Sequence, residues 1–236
     1  MAVLVPSSRV MWSQSQRVIA TRLPSVHVFD NIAPRNDWDD LERLANLTSP
    51  RVQQSGTGWG MFKPEDCASG AGASLVMAPF AYLNPDGSRF TDGTYGAYYA
   101  ARNLQTAIRE TVYHTENFAR DARMAAITFQ KQVLVAQISG SFHDLRKSAP
   151  NQKILSATSY AASQLFARKV REDEKSKGIV YPSVRSAGGE CIAVFLPRLI
   201  SDCRRAQYLD YAWDGKQVSD VFERSLVEAL KPKVKL

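Results

Sequence analysis

The side chains with types and order suited to chemistry are Arg89, Tyr99, Glu110 and Ser183, with Arg185 two residues further on. Arg89 presents a planar fork of donors that never loses its charge, the geometry that phosphate oxygens require. Tyr99 offers a flat apolar face and a hydroxyl. Glu110 carries a charge that can stabilise a developing cation. At about 4 Å and an effective dielectric near 20, two unit charges interact by roughly 4 kcal/mol. Ser183 follows Pro182 and has a hydroxyl that can donate to a carboxylate. Arg185 is a second candidate for an anion. Each residue also has an ordinary reading. Arg89 follows Asp86-Gly87 as a turn residue does, Tyr99 fits the inward face of a strand, Glu110 fits a solvated helix position, and Ser183 fits a turn. Taken singly, the residues leave both readings open.

The rest of the inventory narrows the chemistry. His27, His114 and His143 are dispersed and lack metal-ligand spacing, so no metal is expected. His114 lies four residues beyond Glu110 on the same helix face, where it either supports the carboxylate or is a capped surface residue. Cys67, Cys191 and Cys203 are an odd, sparse set that suits free thiols in a reducing compartment. Neither G-x-G-x-x-G nor a Walker A loop occurs, which disfavours Rossmann and P-loop uses of a nucleotide. The 236 residues include 30 basic and 23 acidic side chains, giving a net charge of +7 and a pI near 9.4. Such a charge brings weak attraction to polyanions by itself. The basic residues are scattered, however, with one dense cluster at Lys231-Pro-Lys-Val-Lys235 and acidic residues interrupting Arg168–Lys177. No specific nucleic-acid partner is expected, and an RNA-binding or ribonuclease reading rests on the charge alone.

Longer blocks surround these residues. Val76-Met-Ala-Pro-Phe80, Arg89-Phe90, Tyr98-Tyr99-Ala100, Thr106-Ala-Ile-Arg-Glu-Thr-Val-Tyr-His114, Gly178-Ile-Val-Tyr-Pro-Ser-Val-Arg185 and Gly188-Gly-Glu-Cys-Ile-Ala-Val-Phe195 follow one another. In this order the chain resembles the RES-domain family, named for its Arg, Glu and Ser, from about Leu23 to about Ser225. The resemblance implies a toxin of a bacterial type II toxin–antitoxin pair, NAD-consuming and distantly similar to ADP-ribosyltransferases. NAD is then the substrate, broken at the nicotinamide–ribose bond, with ADP-ribose passed to an acceptor. Glu110, Arg89 and Ser183 take the catalytic positions, and Arg89, Tyr99, Ser183 and Arg185 contact NAD. Nicotinamide departs as a neutral base and needs no general acid. The requirement is a carboxylate against an oxocarbenium-like transition state, which falls to Glu110, a residue also able to bond the 2′-hydroxyl of the ribose. Arg89 meets the pyrophosphate. Tyr99 meets the nicotinamide face or a ribose or phosphate oxygen, and Ser183 meets the carboxamide or Glu110 itself.

The acceptor is not written in these residues. A protein acceptor is expected, phosphoribosyl pyrophosphate synthetase being one target within the family, because a long stretch precedes Val76-Met-Ala-Pro-Phe80. The alternative is water or phosphate, which would deplete NAD, and a third class is a catalytically silent interaction protein. The resemblance further implies a cognate antitoxin that blocks the cleft.

The elements that must position these residues are partly legible. With 44% apolar and 22% charged residues, 13 Gly and 11 Pro, the chain can bury an ordinary core. It reads as one domain over 1–236, with 1–22 and 226–236 as peripheral terminal segments. The longest apolar runs, such as Ile192-Ala-Val-Phe-Leu196, are far too short to cross a bilayer. Pro6-Ser-Ser-Arg9 interrupts the apolar start, so no membrane partner and a cytoplasmic location are expected. Short helices are predicted at Asp37–Leu47, after an Asn103 cap, and over Ser156–Arg171. Strands are predicted at Tyr95–Ala100, Ala126–Phe129, Val133–Ile138, Ile179–Tyr181, Cys191–Phe195, Ala206–Trp213 and Gln217–Phe222, the last two joined by an Asp214-Gly215 hairpin. This order argues for an α+β domain. The resemblance adds an ADP-ribosyltransferase-like core of two mostly antiparallel sheets, with flanking helices around an NAD cleft.

Overall fold

The computed structural model describes residues 5–21, 62–146, 153–172, 175–225 and 227. Among the described residues, segments rich in Val, Ile and Tyr, which suit a pleated half-buried surface, form seven strands. They are β1 (Ser7–Ala20), β2 (Tyr98–Ala101), β3 (Ile127–Asp144), β4 (Gly178–Pro182), β5 (Glu190–Val194), β6 (Ile200–Trp213) and β7 (Val218–Arg224). The α-helices among the described residues are α1 (Ala73–Ala81), α2 (Leu104–Asp121) and α3 (Ala161–Glu172). The α+β class is as expected.

The strands form one sheet in the order β1-β2-β5-β4-β3-β6-β7, and β1 pairs also with β3, which closes five strands into a ring. The 18-residue length of β3 makes this possible. One of its edges runs antiparallel to β1, from His143 opposite Ser7 to Lys131 opposite Ala20. Its other edge is shared. β6 pairs with it between Ile127 and Ile138, and β4 takes over in parallel at His143 and Asp144. The two sheets implied by the resemblance are thus two wings, β2-β5-β4 and β6-β7, of a single sheet joined through β1 and β3. The strands predicted at 126–129 and 133–138 are one continuous strand.

Each face of the sheet carries a core. One unites Val18, Val133, Val135, Ile179, Tyr181 and Cys191 with Ala107 of α2 and Ala167 and Val170 of α3. The other unites Val10, Trp12, Leu134, Ile138, Val180 and Ile192 with Val76, Met77 and Phe80 of α1. In β1, Val10 and Trp12 face one core and Val18 the other, although all three are even-numbered. The irregularity between Trp12 and Ser15 explains this, since one extra residue inverts the alternation. Ser15 is fully buried there and donates from Oγ to the Ala136 carbonyl at 2.8 Å. The expectation that residues 1–22 are peripheral is therefore corrected for 7–20, which form a central strand whose pattern the bulge disguises.

α2 begins as predicted, with the Asn103 side chain accepting from the Thr106 N–H at 2.9 Å. α3 begins at Ala161, later than predicted, because Ser156 Oγ accepts from the N–H groups of Thr158 and Ser159 at 3.3 and 3.1 Å. That local turn competes with helix initiation. The helix predicted at Asp37–Leu47, His27 and the Lys231–Lys235 tail lie outside the described residues, as does most of 226–236.

Candidate active site

Glu110 and Ser183 meet because α2 lies against the turn between β4 and β5. Ser183 N–H donates to the Gly189 carbonyl at 2.8 Å, which closes that turn. A Cβ on Gly189 would stand 2.6 Å from Thr106 Oγ1 and 2.8 Å from its methyl carbon, so the first turn of α2 rests directly on glycine. One helical turn further along, Glu110 Oε1 accepts from Ser183 Oγ at 2.6 Å. The same Oγ accepts from the N–H groups of Arg185 and Ser186 at 3.1 and 3.0 Å. With its lone pairs so engaged, the hydroxyl turns its proton to the carboxylate. Cys191 of β5 adds a weaker donor, its Sγ lying 3.8 Å from Oε1. Burial, and then the Glu110 charge, push the Cys191 thiol well up, so it stays protonated.

Arg89 lies in the loop between α1 and β2, and that loop is tied from two sides. From β2, Tyr99 Oη accepts from Ser88 Oγ at 2.7 Å and from the Phe90 N–H at 2.9 Å. From α3, Gln164 Nε2 donates to the carbonyls of Ser88 and Thr91 at 3.0 and 3.1 Å, and Arg168 bridges to Asp92. Burial tends to raise the Asp92 carboxyl, but hydrogen bonds from Thr94 and Arg168 prevail and hold it at about 2. Arg89 is consequently only 5% exposed. Its Nη1 donates to the Ser156 carbonyl at 2.8 Å, and its guanidinium carbon lies 4.7 Å from the centroid of the Tyr160 ring. Its Nη2 is buried with no hydrogen-bond partner among the described residues. A buried donor on a permanent cation is costly to leave unpaired.

These parts enclose a cavity of about 210 Å³, lined by Arg17, Arg89, Tyr99, Glu110, His114, Tyr160, Tyr181 and Cys191 among others. Glu110, Arg89 and Tyr99 line it directly, and Ser183 reaches it through Glu110. Arg185 is not among the lining residues. Its guanidinium stacks on Tyr113, 3.4 Å from the ring centroid, and donates to the Ala157 carbonyl. The pair Tyr98-Tyr99 is resolved by alternation: Tyr98 is wholly buried in the opposite core, and Tyr99 faces the cavity. Sequence reasoning missed Arg17, Tyr160 and Cys191. Cys191 had a signal, as an inward position of a predicted strand. Arg17, which donates to the Tyr99 carbonyl at 2.9 Å, had none, because the bulge hides its strand. At the cavity mouth desolvation lowers the His114 pKa, with Glu110 opposing, which favours a neutral imidazole. Among the described residues no cluster could hold a metal, and no helix is long and apolar enough to cross a membrane.

Comparison with known proteins covers the same region. A family model described as the RES domain matches residues 66–214. An uncharacterized protein of Sinorhizobium fredii (strain NBRC 101917 / NGR234), y4oC, is 27% identical over 203 residues, covering 86% of this chain and 84% of that protein. The crystal structure of the M. tuberculosis MbcT-MbcA toxin-antitoxin complex overlaps 53% of this chain and 72% of that one, at 13% identity and a TM-score of 0.38. The family match runs from Asp66 to Asp214, through the arginine, tyrosine, glutamate and serine gathered at the cavity, and this chain belongs to the RES domain family.

Proposed function

We propose that the protein is an NAD-cleaving toxin that breaks the nicotinamide–ribose bond and transfers ADP-ribose to a protein acceptor. The observation that carries this reading is the juxtaposition, in one cavity, of a serine-held carboxylate and a buried arginine with an unpartnered donor. Nicotinamide departs as a neutral base, so the protein need not protonate it. What speeds departure is negative charge close to the ribose as positive charge develops there. Ser183 and Cys191 both bond Oε1 of Glu110. This fixes the carboxylate plane and leaves its charge for the sugar, so reorganisation in the transition state is small. Part of the attraction already acts on the cationic ground state, and only the increment accelerates the step.

Arg89 supplies the complementary function. Its Nη2 would find in a diphosphate oxygen the acceptor it lacks among the described residues, and a charge-assisted bond of this kind is among the stronger ones. The ring of Tyr99 offers the flat wall for nicotinamide, while its hydroxyl holds the Arg89 loop. The same reading gives the protein a cognate antitoxin that covers the cavity, since free NAD cleavage is lethal to its own cell.

The test is incubation of purified protein with labelled NAD and cell lysate. Label on a protein band supports ADP-ribose transfer. Label in free or phosphorylated ADP-ribose replaces the protein acceptor by water or phosphate while retaining NAD cleavage, and absence of nicotinamide release removes the enzymatic reading.

A further inference from the structure

Arg89 is oriented by Ser156 and Tyr160, which lie in the segment before α3. The described segment leading to α3 is anchored at its start by Ile154, buried in the core, and by Leu155 packed against it. The turn made by Ser156 then bends the chain. The bend aims the Ser156 carbonyl at Arg89 Nη1 and lays the Tyr160 ring against the guanidinium. One residue on, the Ala157 carbonyl accepts from Arg185 and from Tyr113 Oη of α2, the latter at 3.4 Å. The far end is tied to α3, where the Gln164 N–H donates to the Tyr160 carbonyl at 2.8 Å. A long arginine side chain is ordinarily mobile, and here one nitrogen and one face are both engaged. Nη2 is left buried and unpaired among the described residues.

We propose that Ser156–Tyr160 is a positioning strap, and that Tyr160 sets the plane of the Arg89 guanidinium so that Nη2 meets an oxygen of a diphosphate. This rests on the NAD reading above. Tyr160 is a positioning residue that acts through Arg89. Arg185 acts one step further back, holding the strap at Ala157 and not touching the phosphate. Ordering the fork in advance removes a cost that binding would otherwise carry.

The test is calorimetric titration of the full chain with ADP-ribose, a diphosphate that lacks nicotinamide. Tyr160→Leu is expected to raise Kd about tenfold, between the sizes of an exposed and a desolvated cation–ring contact. Tyr160→Phe keeps the ring and should stay within about twofold of the parent. Arg89→Ala should weaken binding at least as much, and adding Tyr160→Leu to Arg89→Ala should cost nothing more, because the two act as one unit. In nicotinamide release, Tyr160→Leu should raise KM with kcat held. Additive losses in the double variant, or a Phe variant as weak as the Leu variant, overturn the strap. A Kd unmoved by Arg89→Ala overturns the diphosphate role of Arg89 itself, so the two failures are distinct. Should Tyr160→Leu not fold, Arg185→Gln frees the strap at Ala157. It should weaken binding in the parent and not in the Arg89→Ala background, and an equal loss in both overturns the strap.

Discussion

Glu110 and Ser183 form a unit whose parts can be separated by substitution. Glu110→Gln keeps the shape and an oxygen for Ser183 but removes the charge. Nicotinamide release should fall by about 10²-fold or more, with circular dichroism and unfolding midpoint near the parent. Release at near-parental rate would take Glu110 out of the mechanism. Ser183→Ala removes a short bond to a carboxylate and also the acceptor for the Arg185 and Ser186 N–H groups. Its cost should be about 1.5–3 kcal/mol for the charged bond alone. Cys191→Ala removes only the long thiol contact and should be milder; single-turnover rates for the two variants give the order. At Tyr99 the hydroxyl accepts two bonds from the Arg89 loop. Tyr99→Phe should therefore lower stability by about 1–3 kcal/mol, from leaving the Phe90 N–H unpaired, and weaken NAD binding by loosening the Arg89 loop even with the ring intact. Unchanged affinity on calorimetry would mean that the loop holds without this anchor.

Two elements decide where these side chains stand. α3 clamps the Arg89 loop through Gln164 and through the Arg168–Asp92 pair. Because the folded carboxyl of Asp92 sits at about 2, below its ordinary value of 3.8, the pair stabilises the fold above about pH 4 and loses that contribution as pH falls toward 2. Parent protein should exceed Asp92→Asn in urea midpoint at pH 6 by an amount equivalent to about 1 kcal/mol, the upper end for a partly exposed pair. The gap should close on acidification, and a gap independent of pH between 6 and 2.5 would assign it to something other than this carboxylate. α2 depends on Gly189 for its close approach to the β4–β5 turn. Gly189→Ala forces a methyl against Thr106, which is buried and short, at a cost of about 1–3 kcal/mol. The displaced helix would carry Glu110 away from Ser183. Nicotinamide release should drop by more than the stability loss explains, and a variant with parental kcat would show that the approach tolerates a methyl group.

At the scale of the whole molecule, 30 basic against 23 acidic residues give a net positive charge, and the cavity holds a buried arginine donor that wants an anion. An antitoxin that covers this cavity is expected to present an acidic side chain or a C-terminal carboxylate to Arg89, in place of substrate phosphate. Bound antitoxin should exclude NAD, and Arg89→Ala should weaken antitoxin and NAD together. A complex that binds NAD with undiminished affinity in calorimetry would place the antitoxin elsewhere. RNA binding, if present, should be confined to low salt, as nonspecific charge attraction is.

The sequence alone determined the α+β class, the Asn103-capped helix and most of the late strands, because caps, turns and two-residue alternation are local properties of the chain. It also marked Arg89, Tyr99, Glu110 and Ser183, by type and order. Which of these meet was decided only in three dimensions. Glu110 and Ser183 are 73 residues apart and touch because β5 lies between β2 and β4, beneath α2. Arg185, two residues beyond Ser183 in sequence, points away onto Tyr113, while Arg17 and Tyr160 enter the cavity from segments that showed no sign of it. A bulge that inverts the phase of β1, and a strand long enough to serve three neighbours, set these distances. Neither leaves a periodic trace in the sequence, since each acts through register and closure of the whole sheet.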